Sequence, residues 1–160
     1  MAKRPAPGFT LIEMMVVVGV IAILALLMVP AYIDRIVRNQ IAEALPLADV
    51  AKRPIESAWT LARALPADNA ALGLPPPEKV VSNYVRAVQV EGGAIHMTFG
   101  NRAHRQIQGL VLSLRPAIVP DAPVVPIAWV CGYAGVPGNM VAQGGNRTDV
   151  PAAYLPAQCR

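Results

Sequence analysis

An uninterrupted apolar run does most to limit what this chain can become. From Met14 to Ile33 no residue carries a charge, and about twenty helical residues at about 1.5 Å each cover about 30 Å, one bilayer core. Two residues at its entrance do not suit a plain anchor. Gly8 stands alone before the run, and Glu13 places a carboxylate just inside it. A charge at that edge costs about 1–3 kcal/mol, so its presence asks for a functional reason. The preceding Met1–Gly8 is short, basic at Lys3 and Arg4, and rich in proline and alanine, like the n-region of a targeting segment. The run is too long for an ordinary secretory signal, and Val29-Pro30-Ala31-Tyr32 offers no Ala-x-Ala cleavage site. From the residues alone the expectation is an uncut membrane helix. Its orientation stays open, because Lys3 and Arg4 precede it and Arg35 and Arg38 follow it.

At 160 residues the chain has room for one domain plus an anchor. The formal charge of +4 includes Lys3 and Arg4; without them it falls to about +2, which by itself argues for no nucleic-acid partner. The two cysteines, Cys131 and Cys159, read as a disulfide in an exported chain and as two buried thiols in a cytosolic one. Beyond Tyr32 the apolar residues turn periodic: Ile33, Ile36, Val37, Ile41, Ala44 and Leu45 recur at helical spacing among polar neighbours. Val50, Ile55, Ala58, Trp59, Leu61, Ala62 and Leu65 extend the helical pattern to Pro66. One long helix from about Phe9 to Leu65 is expected, bent near Pro30, Pro46 and Pro54.

Pro66 to Ser82 reads as a loop, broken by Asn69, Gly73 and Pro75-Pro76-Pro77. The period then changes to two. Tyr84–Val90, a turn at Glu91-Gly92-Gly93, and Ala94–Phe99 make a hairpin. Gly100–Gln108 is a polar connection, Leu110–Arg115 a third strand stopped by Pro116, and Ile127–Cys131 a fourth after the proline-broken Pro120–Pro126. Four short strands need cover on one face, and the amphipathic half of the helix supplies it. The fold class is α+β: a long N-terminal helix, membrane-spanning in its first half, packed on a four-stranded antiparallel sheet and protruding from a small head.

No catalytic cluster emerges. His96 sits at a strand position and His104 among Arg102 and Arg105, without cysteine or carboxylate partners at ligand spacing; both read as surface or strand-face histidines. Gly-x-Ser-x-Gly, a phosphate loop and paired catalytic carboxylates do not occur, so neither an enzyme nor a cofactor or metal is implied. Arg102, His104 and Arg105 form a modest basic patch, more simply a solvated loop than a phosphate contact. Asn146-Arg147-Thr148 matches the N-glycosylation pattern, a short motif that is common by chance. Trp59 and Trp129 read as core residues. Met14, Met15 and Met28 read as lipid- or bundle-facing.

Lys3-Arg4, Gly8, Phe9-Thr10-Leu11-Ile12-Glu13, the apolar run and Pro30-Ala31-Tyr32 resemble the class III signal of type IV prepilins. The resemblance implies that prepilin peptidase cuts between Gly8 and Phe9 on the cytoplasmic side and methylates the new amino terminus at Phe9, leaving the apolar segment on the mature protein. It makes Glu13 the assembly glutamate. Phe9 and Glu13 are i and i+4, hence on one helical face, and the amine freed on Phe9 can neutralise a carboxylate that is costly when buried alone. Trp129, Cys131, Gly132-Tyr133-Ala134, Tyr154-Leu155-Pro156 and Cys159-Arg160 resemble the end of type IVa pilins, where a disulfide closes the C-terminal region. Such a closure would add about 3–4 kcal/mol by chain entropy, and the loop inside it has turn chemistry and little core.

The implied division is a leader at 1–8, a transmembrane and filament-core half-helix at 9–33, an amphipathic half at 34–65 and a globular head at 66–160. The implied role is a structural subunit of an extracellular pilus, a helical homo-oligomer serving adhesion, twitching motility or DNA uptake. Implied partners are prepilin peptidase, an assembly ATPase, a platform protein and an outer-membrane secretin, with the inner membrane holding the subunit before assembly; DNA is a runner-up contact. The alternatives are a minor pilin or type II secretion pseudopilin, and, from another class, a membrane-tethered periplasmic binding module or enzyme. The last leaves Gly8 and Glu13 without purpose.

Overall fold

A computed structural model of the chain describes residues 8–160, with residues 29–31 described by backbone alone. The basic leader residues Lys3 and Arg4 lie outside the described residues. The chain divides into two compact units, one ending at Arg35 and one beginning at Ile36.

From Leu11 onward the described part of the first unit is helix. α1 (Leu11–Ala44) passes through Gly19 and Pro30 without leaving helical conformation. Every described side chain from Leu11 to Met28 is exposed, and the most apolar window of the helix has a mean hydropathy of 2.8. A helix that is apolar on all sides suits lipid or other helices as its surroundings.

The second unit contains the last turns of α1, a 3-10 turn at Leu45–Ala48, α2 (Asp49–Ala62) and one sheet. Val37, Ile41, Ala44, Ala48, Ala51 and Ile55 are all buried; their spacing of three and four is one stripe of a 3.6-residue helix. Counted at about 100° per residue from Val37, Val50 and Leu61 fall on the opposite side, where they are 46% and 85% exposed. Those two residues therefore leave the apolar face that the sequence pattern suggested.

The helix expected from Phe9 to Leu65 is shorter at both ends and interrupted once. Pro46 stands at the start of the 3-10 turn, a position where the missing N–H removes no bond within that turn. Pro54 lies inside α2 without ending it. The same angular count places both prolines away from the buried stripe, on the side where water can serve a carbonyl left without a donor. α2 stops at Ala62 because Arg63 takes a left-handed conformation (φ 52°) and its N–H caps the Trp59 carbonyl.

Strands β1 (Val85–Glu91), β2 (Ala94–Phe99), β3 (Val111–Ile118) and β4 (Ala128–Cys131) form an antiparallel sheet in chain order, and the two-residue β5 (Val141–Ala142) pairs with β3. Gly92 and Gly93, with φ of 55° and 82°, make the two-residue hairpin turn between Glu91 and Ala94, the conformation such a turn requires. The free edge of β1 is covered by the loop expected at 66–82: the buried Asn69 side chain donates to the Val88 carbonyl and accepts from the Val90 N–H. One side chain thus serves an edge that would otherwise stay open to pairing.

The expected stop of the third strand at Pro116 is overturned, since β3 continues to Ile118. In an extended antiparallel strand a residue's N–H and C=O point to the same flank. The Pro116 carbonyl accepts from the Gln143 N–H, away from β4, so the missing donor removes no β3–β4 hydrogen bond. β2, which would have paired on that flank, ends its register with β3 at Leu114. Proline is tolerated where the ladder has a gap.

Ile95, Met97, Leu112 and Leu114 alternate onto the face toward α2, a side fixed by the Trp129 indole N–H donating to Glu56 of α2 at 2.8 Å. Trp59 and Trp129, expected in the core, are each only partly buried; for Trp129 that seam position lets the ring pack while its N–H finds an acceptor.

Candidate functional site

Two places carry the residues singled out by sequence, and each belongs to its own unit. At the first, Gly8 and Phe9 precede the helix, and both are exposed. A Cβ added to Gly8 would meet nothing within 4 Å. Thr10 is the N-cap. Its hydroxyl oxygen accepts from the Glu13 N–H at 3.3 Å, while Glu13 Oε2 accepts from both the Thr10 N–H and the Thr10 hydroxyl at 2.8 Å. This is a reciprocal capping box, which serves helix-end donors that otherwise lack partners.

Sequence reasoning missed Thr10, although Thr10-Leu11-Ile12-Glu13 carries the T-x-x-E signature of that cap. The expectation that Phe9 and Glu13 share a helical face as i and i+4 is modified, because Phe9 lies outside α1. The two still line one recess of about 340 Å³ with Ile12, Val16 and Val17. Glu13 therefore has one oxygen engaged by Thr10 and stands in an apolar recess beside Phe9. Such a carboxylate can accept a cation without first giving up its cap.

The second place is the C-terminal closure. Cys131 ends β4, Cys159 sits in the last 3-10 turn, and the two form a disulfide across a sequence separation of 28. Beside it Gly132 takes φ 58°, and an added Cβ would stand 2.6 Å from the Cys159 carbonyl oxygen. Only glycine fits that approach. The region between the cysteines was expected to hold little core, and this is corrected: Val150 and Leu155 are fully buried.

The same region crosses the outer face of the sheet. Gly144 stacks against Ala94, the Arg147 N–H donates to the Ser113 hydroxyl, and Arg147 pairs with Glu91 at 2.7 Å. The Ser113 N–H donates to the Thr148 hydroxyl, and Asp149 bonds the backbone of Val111. β2 is consequently buried on both faces, and His96, read as a surface or strand-face residue, lies on that outer face at 3% exposure. Its Nδ1 meets Ser113 Oγ at 2.9 Å. Burial pushes its pKa below the ordinary histidine value, and Arg147 adds to that while Glu91 opposes it.

The remaining candidates are occupied by the fold. The His104 N–H donates to Gln40, and its ring Nδ1 accepts from the Gln106 N–H, so the residue organises a turn; Arg102 and Arg105 are exposed beside it. Asn146 donates to the Gly132 carbonyl and accepts from the Thr148 N–H, so the amide of the Asn-Arg-Thr motif is engaged.

Comparison with known proteins covers both places. A family model described as "Pilin (bacterial filament)" matches residues 37–160, and one described as "Prokaryotic N-terminal methylation motif" matches residues 3–29. The chain is 33% identical over 159 residues to a type IV major pilin protein, PilE, of Neisseria gonorrhoeae, covering 96% of this chain and 93% of that one. It is 31% identical over 163 residues to a fimbrial protein of Neisseria meningitidis serogroup A, covering 96% and 93%. A fimbrial protein of Eikenella corrodens, EcpC, is 32% identical over 165 residues, covering 100% of this chain and 94% of that one.

Proposed function

As this chain belongs to the type IV pilin family and is a structural subunit of a pilus, we propose a course from membrane precursor to filament carried by its first helix. Prepilin peptidase cuts between Gly8 and Phe9, and Phe9 becomes the methylated amino terminus. Residues 9–33 hold the subunit in the inner membrane, residues 34–65 carry the helix into the head, and the head faces the periplasm. The filament is a homo-oligomer whose core is built from the apolar segment, and the subunit has a structural rather than an enzymatic role.

The observation that carries this reading is the geometry at Glu13. Its capping box with Thr10 keeps the carboxylate ordered at the head of an exposed apolar helix, within one recess with Phe9. A cut before Phe9 creates an ammonium group next to that recess. Pairing of Glu13 with the amine of a subunit already in the filament relieves an isolated charge and sets the axial register; pairing within one subunit relieves the charge without setting register. Similarity to major pilins over nearly the whole chain supports a major subunit over a minor pilin or pseudopilin. An assembly ATPase, a platform protein and a secretin complete the pathway to an extracellular fibre that serves adhesion, twitching motility or DNA uptake.

The test is mass spectrometry of the amino terminus in fibres sheared from the cell surface. The expected species begins at methylated Phe9 and dominates the preparation. A protein found only in membranes with Lys3 and Arg4 still attached would overturn the proposal.

A further inference from the structure

The segment 143–149 lies over the outer face of the sheet as a strap. Under it is the one buried histidine among the described residues, His96. One of the bonds that hold the strap passes through the atom that serves this histidine. Ser113 Oγ accepts the Arg147 N–H at 2.9 Å and meets His96 Nδ1 at 2.9 Å. With the Arg147 N–H occupying the oxygen, the serine's single proton is free to be donated to Nδ1, an arrangement that suits a neutral imidazole carrying its own proton on Nε2.

We propose that mild acid releases the 143–149 strap from the sheet, with the His96 imidazole as the trigger. A proton added at Nδ1 turns that atom from acceptor to donor, so the serine hydroxyl loses its acceptor. It also places a buried cation beside the strap. The charged groups around it are unequal: Arg147 and Asp149 on the strap, Glu91 at the end of β1, and Arg115, which alternation places on the same face of β3 two residues beyond Ser113. Glu91 is already paired with Arg147, and Asp149 holds the Val111 N–H; Glu91 offsets part of the new charge, but burial and the Arg147 guanidinium oppose it more strongly.

Lifting the strap hydrates the imidazole at less cost than unfolding the sheet, and local opening is the cheaper response. The Cys131–Cys159 disulfide keeps the lifted segment attached. The folded-state pKa of His96 is lowered, so the strap's stability is fully present above the ordinary value of about 6.5 and falls as pH drops below it. The inference rests on the second unit alone and stands or falls independently of leader cleavage and filament assembly.

The experiment is amide hydrogen exchange of the full chain in detergent micelles between pH 7.5 and 5, corrected for the intrinsic exchange rate, with the β1–β2 hairpin as internal reference. The strap's opening equilibrium is expected to rise about tenfold per pH unit below about 6.5, until the closed form itself takes up the proton, while the hairpin stays protected. His96→Asn, whose amide can take the place of Nδ1 without titrating, should flatten that dependence. Constant strap protection in the parent chain, or a variant that loosens in parallel with it, overturns the proposal. Should His96→Asn fail to fold, NMR titration of the His96 ring in the parent chain decides: a midpoint below about 6.5 tracked by the strap amides supports the trigger, and a midpoint at or above it, or amides that do not follow, refutes it.

Discussion

α1 is one continuous helix whose two ends obey different rules. From Met14 to Met28 it is apolar on all sides and exposed throughout; from Val37 to Ala44 it is amphipathic, and Val37, Ile41 and Ala44 are buried. The first part is organised by its end, where Thr10 and Glu13 cap it. The second is organised by what it covers. Secondary structure is therefore the same while its stabilisation differs: lipid or helical partners must supply surroundings for the first part, whereas the head supplies its own for the second. The two ends should therefore respond differently to the same substitution.

A matched pair of truncations puts that difference under the greatest strain. Ile41→Ala removes a fully buried side chain and should cost the head about 2–5 kcal/mol, read by thermal or denaturant unfolding in micelles. Ile21→Ala acts on a side chain 59% exposed and should leave head unfolding unchanged while weakening assembly. Equal shifts in the head's melting would break the comparison. Cys131→Ser tests whether the head depends on its covalent closure. With a separation of 28 residues the loss is about 3–4 kcal/mol by chain entropy, a large share of the about 5–15 kcal/mol typical of a domain. Pilus yield should collapse, and an unchanged yield would contradict that.

At the other end, Glu13→Val should leave processing intact and disturb assembly, measured as leader removal against surface fibre. Normal fibres from that variant would sink the proposed role of the carboxylate. Thr10→Val is the smallest of these changes. It takes away the cap hydroxyl at a cost of about 1 kcal/mol in helix-end order, and it should slow assembly without abolishing it, since Glu13 keeps its charge. A Thr10→Val defect as complete as that of Glu13→Val would show that the cap, and not the charge, governs assembly.

Much of this was legible in local pattern. The apolar run, the change of period from helical spacing to alternation near Asn83, the Gly92-Gly93 hairpin turn and the lone pair of cysteines are short-range signals, and the structure realises each as an element or a bond. Thr10 was legible too, as the first residue of a T-x-x-E pair, but a family signature drew attention to Glu13 alone. The failures share a cause. Pro116 stops a strand only if its missing donor is needed, which depends on where β2 ends and Gln143 arrives. His96 stands on a strand face as read, but whether that face meets water depends on what returns across the sheet, and 143–149 returns from nearly fifty residues away.

The sequence by itself determined that one segment must leave water, that a helix and an antiparallel sheet share a small head, and that the ends of the chain carry the features of a pilin. Those conclusions rest on hydropathy, period and residue identity, all read within a few neighbours. Only the tertiary structure decided that Asn69 closes the β1 edge, and that the disulfide-bounded region contributes Val150 and Leu155 to the core and buries a histidine. Each of these is a hydrogen bond or a burial supplied by a distant part of the chain, and no local propensity can specify which distant group will arrive.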